Sequence, residues 1–255
     1  MNFEFSTGQN KFGALLTFGI FLVYFVSMYV GGVIGSVVFD IVYAAEAASN
    51  SVTASADARV ILVVIRRISG MLFGGCILFF LIRRSVQRMP QAVSFAELGF
   101  VRSSWILCIF LYLLGLFLSL FFMVFLRQLF PFDGVRSPAD LEGINEVAEK
   151  FTYMMAFCLI VLAPLNEEAL FRGALYLGFK SSFGKIAAAV VVTSLFFSVH
   201  PDAYSDGYWI NILALQTYSI ILVVVRVWSG SLYPAMSMHA GINSALIFPV
   251  QIFTG

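Results

Sequence analysis

Charge is what this chain has least of. Only 11% of its 255 residues are Asp, Glu, Lys or Arg and 60% are hydrophobic, whereas soluble domains carry about 25% charged residues. So few polar side chains cannot cover a water-facing surface, which excludes a soluble globular enzyme. A basic surplus is missing too: 15 Lys and Arg stand against 14 Asp and Glu. Binding a phosphate backbone needs such a surplus in a cluster, so nucleic acid is excluded as a partner. The three cysteines, Cys76, Cys108 and Cys158, are odd in number and each lies in an apolar run. No disulfide framework is expected, and they read as small apolar packing residues. The N-terminus, Met1-Asn2-Phe3-Glu4-Phe5, lacks the basic region and small-residue cleavage site of a signal peptide, and no processing or lipidation is expected. There is no internal repeat and no His-Glu-x-x-His zinc helix.

What is there is long apolar sequence. A helix crossing a hydrocarbon core needs about 20 mostly apolar residues, and seven stretches approach this: Gly13–Phe39, Ile61–Ile82, Trp105–Leu126, Phe151–Phe179, Ile186–His200, Tyr208–Val227 and Leu232–Phe253. The expected fold is all-α: one integral membrane domain over residues 1–255, a polytopic bundle of about seven transmembrane helices within a range of six to eight. Arg66 and Arg67 interrupt the second stretch and read as interfacial anchors, while Pro164 in the fourth reads as a kink. With the N-terminus inside, the inner loops hold 9 Lys and Arg and the outer loops 6, so the positive-inside rule favours a cytoplasmic N-terminus. Residues 40–59 are expected to form a polar outer connection. Residues 127–150, where Ser137 opens a Leu/Ile/Val-spaced run, are expected to hold a short capped helix.

Ionisable groups inside membrane helices are expensive, by ~2.5 kcal/mol or more, and are functional candidates by default. The fourth stretch carries Asn166-Glu167-Glu168-Ala169-Leu170-Phe171-Arg172, the fifth ends Phe196-Phe197-Ser198-Val199-His200, and the seventh contains His239-Ala240-Gly241-Ile242-Asn243. These are the only two histidines of the chain. Glu168 and Arg172 are four apart and can pair on one helix face; Glu167 lies about 100° around the helix and off that face. One carboxylate is thus expected to be structural and the other free to work.

Residues on separate helices cooperate only at a shared depth. Measured from the inner ends of their helices at 1.5 Å per residue, Glu167, His200, His239 and Asn243 fall at roughly 14–21 Å. A carboxylate, two imidazoles and an amide at one level suit water-dependent cleavage of an acyl bond. Glu167 would remove a proton from water, His200 would share that water or protonate the leaving amine, and His239 and Asn243 would donate to the oxyanion.

On these residues the sequence resembles the CAAX-protease and bacteriocin-processing family of intramembrane endopeptidases, also called CPBP or Abi. Its Glu-Glu-x-x-x-Arg motif is matched by Glu167, Glu168 and Arg172, its Phe-x-x-x-His motif by Phe196 and His200, and its His-x-x-x-Asn motif by His239 and Asn243. The resemblance covers about residues 150–250. It implies a catalytic core over 151–255 behind variable N-terminal helices over 1–150, with Glu167 and His200 activating water, His239 and Asn243 at the oxyanion, and Glu168, Arg172 and Phe196 in support. It further implies a hydrolase in a multi-pass membrane setting, here read as a bacterial inner membrane. The substrate would be a peptide or membrane-associated protein, either CAAX-type or a bacteriocin or signalling peptide.

The preferred mechanism needs no cofactor. Its closest alternative uses zinc held by Glu167, His200 and His239, the two-His-one-carboxylate set. Further alternatives are a transporter, whose midplane ionisable groups would relay protons, and a non-catalytic immunity protein of the same fold.

Overall fold

The computed structural model describes residues 13–50, 56–88, 94–129, 153–198 and 209–247. Among them there is no strand, and the architecture is a helical membrane bundle. Seven helices follow one another: α1 (Ala14–Asn50), α2 (Ala56–Arg88), α3 (Trp105–Leu129), α4 (Tyr153–Phe183), α5 (Lys185–Ser198), α6 (Trp209–Ser229) and α7 (Leu232–Ile247). The first four contain stretches long and apolar enough to cross a membrane, while α5 and α6 carry shorter apolar segments. Their outward faces are hydrophobic, with Leu15, Val26, Trp105, Ile109, Phe117 and Ile186 exposed, as expected of side chains that meet lipid.

One expectation fails. Residues 40–50 and 56–59 are not a loop but the facing ends of α1 and α2. The reason lies in Ala44-Ala45-Glu46-Ala47-Ala48: polarity ends the membrane run, but alanine and glutamate are strong helix formers, so the helix continues past it. Of the capped helix expected over 127–150, residues 127–129 end α3 and the rest lies outside the described residues, as does the end of the seventh expected span.

Helices α1 and α2 are antiparallel and close. Gly31 and Gly35 on α1 and Gly70 and Gly74 on α2 form two small-xxx-small stripes. A Cβ added to Gly31 would lie 2.6 Å from Phe73 Cβ and one on Gly70 would lie 2.8 Å from the Met28 carbonyl, so only glycine permits this approach. Helices α3 and α7 pair the same way, Gly115 against the Met238 carbonyl and Gly241 against the Tyr112 carbonyl, and the Tyr112 hydroxyl meets Ser244 Oγ at 2.8 Å.

Helix α4 is the central element, packed against α1, α2, α5, α6 and α7. It is irregular: two π-helical segments, Phe157–Leu162 and Glu168–Leu175, flank a short α segment, Ala163–Glu167. Such segments are rare and gather at functional sites. Around the second one the buried core is built from Ile20, Phe21, Leu78, Leu98, Phe171, Leu175, Val192 and Val223. The turn entering α7 is fastened by the 94–101 loop, where the Gly99 carbonyl accepts from Leu232 N–H at 2.8 Å and the Val101 carbonyl from Ser231 Oγ at 2.7 Å.

Candidate active site

The π-helical segment opening at Glu168 buries a charged pair. Glu168 and Arg172 are fully buried, and Arg172 Nη1 donates to Glu168 Oε1 at 2.9 Å. Taking an ion out of water costs several kcal/mol, recovered only if its remaining groups are satisfied. Arg172 Nη2 donates to Ser219 Oγ at 2.8 Å and to the Ser219 carbonyl at 3.3 Å, which recovers part of that cost; among the described residues Arg172 Nε and Glu168 Oε2 have no hydrogen-bond partner. Its guanidinium also lies over the Phe196 ring, 4.4 Å from the centroid, a favourable placement for a desolvated cation. Phe196, on α5, is buried and packs edge-to-face with both Phe171 at 5.1 Å and His239 at 6.0 Å between ring centroids.

Glu168 does more than neutralise Arg172. The same Oε1 lies 2.8 Å from His239 Nδ1. A carboxylate that already accepts from arginine can only accept again, so Nδ1 carries the hydrogen and the ring is fixed in that orientation. The other ring nitrogen, Nε2, lies 3.8 Å from Glu167 Oε2. Glu167 is the more accessible of the pair, its side chain 18% exposed against none for Glu168. The helical-wheel expectation that Glu167 stands apart from the Glu168 face therefore needs correcting. Both carboxylates reach one imidazole, because its two nitrogens are offset and the helix changes from α to π between the two residues.

Asn243, one turn beyond His239, also reaches α4. Its Nδ2 donates to the Leu159 carbonyl at 2.8 Å, eight residues before Glu167 and so roughly 12 Å away along α4. That carbonyl needs an outside donor. Ala163 N–H is taken by Cys158 O, and the next nitrogen along the chain belongs to Pro164, which has no hydrogen. Asn243 supplies what Pro164 withholds. The contacts Glu168–His239 and Leu159–Asn243 run in opposite directions along the two helices, so α4 and α7 are antiparallel.

Helix α2 adds a contact that sequence reasoning missed. Asn166 is 2% exposed and its Nδ2 donates to the Met71 carbonyl at 2.9 Å. Ser219 was missed as well. Both had a signal, since each is a polar residue within an apolar run, but the sequence alone did not say what either would touch. His200 lies outside the described residues. Among the described ones, no group of three His, Cys, Asp or Glu side chains could hold a metal ion.

The stretch that carries these residues has a known counterpart. Residues 149–245 match the family model of the Rce1-like type II CAAX prenyl endopeptidases. The match bears out the resemblance read from the three motifs, and every site residue described above on α4, α6 and α7 falls inside it. No curated protein and no solved structure matches the chain.

Proposed function

We propose that this integral membrane protein is an intramembrane endopeptidase that hydrolyses a CAAX-type or signalling peptide by water activated at Glu167. Its family match is to CAAX prenyl endopeptidases over residues 149–245, and the observation that carries the mechanism is one imidazole held between two unlike carboxylates. Glu168, spent on Arg172 and His239 Nδ1, is the positioning group. Glu167, 3.8 Å from Nε2 and partly accessible, is the one free to take a proton. Residues 151–255 form the catalytic core in this reading.

The chemistry runs as a metal-free hydrolysis. Glu167, assisted by His200, removes a proton from water; the water oxygen bonds to the scissile carbonyl carbon and a tetrahedral oxyanion forms. The C–N bond then breaks, and the proton held by Glu167 passes to the leaving amine. His239 has its Nδ1–H committed, so Nε2 donates to the oxyanion when the ring is an imidazolium. The second N–H of the Asn243 amide is available for the same role. The Lys and Arg distribution supports a cytoplasmic N-terminus, and a bacterial inner membrane is the setting proposed.

The zinc form is kept as a second reading for one reason: a carboxylate on the far nitrogen of a histidine is also how metal-bound imidazoles are oriented. Glu167, His200 and His239 would then be the ligands and zinc would supply the activated water. Chelator treatment of purified protein separates the two. Unchanged cleavage supports the metal-free form, and loss restored by zinc replaces it. Substrate and activity are tested together by comparing peptides in membranes of cells carrying the native protein or Glu167→Ala. Cleaved termini present only with the native protein are expected; identical peptide sets would overturn the reading.

A further inference from the structure

The site described so far belongs to α4–α7, yet α1 and α2 reach its level. The contacts between α1 and α4 form an antiparallel ladder. Ala14 N–H donates to Ser182 Oγ at 3.0 Å, Thr17 packs on Gly178, and the Phe21 ring meets Phe171 edge-on at 6.0 Å. One helical turn further along α1, the ladder arrives at Tyr24 opposite the Asn166-Glu167 step. Tyr24 is 2% exposed. Its phenol lies beside the Asn166 side chain and within electrostatic reach of Glu167.

Helix α2 is shaped to hold both partners. A Cβ on Gly74 would come within 3.3 Å of Tyr24 Cε2, and one on Gly75 would lie 2.6 Å from Asn166 Oδ1 and 3.0 Å from its Nδ2. Adjacent glycines thus leave room for the phenol and the amide side by side, while the Met71 carbonyl anchors the amide from the same helix. Asn166 immediately precedes Glu167, so fixing its side chain fixes the rotation of α4 where the carboxylate departs.

We propose that Tyr24 and Asn166, seated on Gly75 and the Met71 carbonyl, are positioning residues for Glu167, and that the α1–α2 hairpin is a wall of the active site. The inference rests on Glu167 as the base but makes a separate claim, that a residue outside the 149–245 match controls that carboxylate. A lipid-facing hairpin with no functional part would need neither a buried phenol at this depth nor the glycine opposite Asn166.

The test uses the full chain in lipid nanodiscs with two readouts. The first is the infrared band of the Glu167 carboxyl group, identified by its loss in Glu167→Gln. Tyr24→Phe, which removes one hydroxyl, and Gly75→Ala, which displaces the Asn166 amide, are each expected to shift that band. Tyr29→Phe, exposed on the same helix, is expected to leave it in place. The second readout is cleavage of a farnesylated CAAX peptide, where Tyr24→Phe is expected to lower kcat about tenfold at unchanged KM and unchanged thermal midpoint. Gly75→Ala should add no further loss in an Asn166→Ala background, where the clash is gone. An unmoved band in Tyr24→Phe, or a raised KM at native kcat, would overturn the proposal. Full cleavage by Glu167→Gln with the Tyr24→Phe band shift intact would instead overturn the role of Glu167 as base and leave the coupling standing.

Discussion

Two halves of this bundle are joined by opposite chemistry. Helices α1 and α2 meet where side chains have been removed: Gly31, Gly35, Gly70 and Gly74 let the backbones touch, and the contact is van der Waals packing that lipid cannot replace. Helices α4, α6 and α7 meet through groups the membrane would otherwise reject, with Glu168, Arg172, Ser219 and His239 buried together. The difference teaches what each half is for. A glycine seam fixes distance at little energetic risk, whereas a buried ionic cluster fixes orientation. The proposed reaction, in which two carboxylates are aimed at one imidazole, needs the second kind of joint at its centre.

The largest expected effect comes from breaking the ionic joint. Glu168→Ala strands a buried guanidinium and frees His239, and removing one partner of a buried pair costs ~3–5 kcal/mol. The variant should unfold at markedly lower temperature or denaturant and lose all cleavage; a stability within 1 kcal/mol of native, taken as roughly the value of an exposed pair, would mean the pair is not held as described. The glycine seam ranks next. Gly31→Leu forces α1 away from Phe73 and should cost ~1–3 kcal/mol in an unfolding titration. Gly19→Leu, where nothing lies within 4 Å of the added Cβ, should cost nothing measurable. Equal losses at the two positions would contradict a specific seam.

The smallest effect is a coupling. Asn243→Ala should cost ~1–3 kcal/mol by leaving the Leu159 carbonyl unpaired. In a Pro164→Ala background position 164 regains an N–H, and the cost should fall by about 1 kcal/mol. Equal cost in both backgrounds would show that Asn243 does not serve the carbonyl that Pro164 leaves free.

The sequence was legible where one helix explains itself. Apolar run lengths located the helices, and the four-residue spacing of Glu168 and Arg172 foretold their pairing, because both features follow from rise and rotation within a single element. The 40–59 stretch misled because polarity was weighed above the helix propensity of its alanines. Partners on other helices were not legible. Nothing in the spacing of His239 says that Glu168, and not Glu167, takes its Nδ1. That depends on helix rotation and on the switch from α to π geometry at Glu168. The destination of Asn243 depends on a proline in a helix far away in sequence, and the reach of Tyr24 depends on a ladder visible only once α1 lies along α4.

The central claim is that Glu167 is the base. Its most direct measurement is single-turnover cleavage of a farnesylated CAAX peptide by the native protein and Glu167→Gln in nanodiscs, followed by mass spectrometry. Loss of a positioned general base predicts a rate at least ~10²-fold lower, with the thermal midpoint retained because Glu168 and Arg172 are untouched. A Glu167→Gln variant that cleaves within about twofold of the native rate, well short of any general-base contribution, would contradict the account.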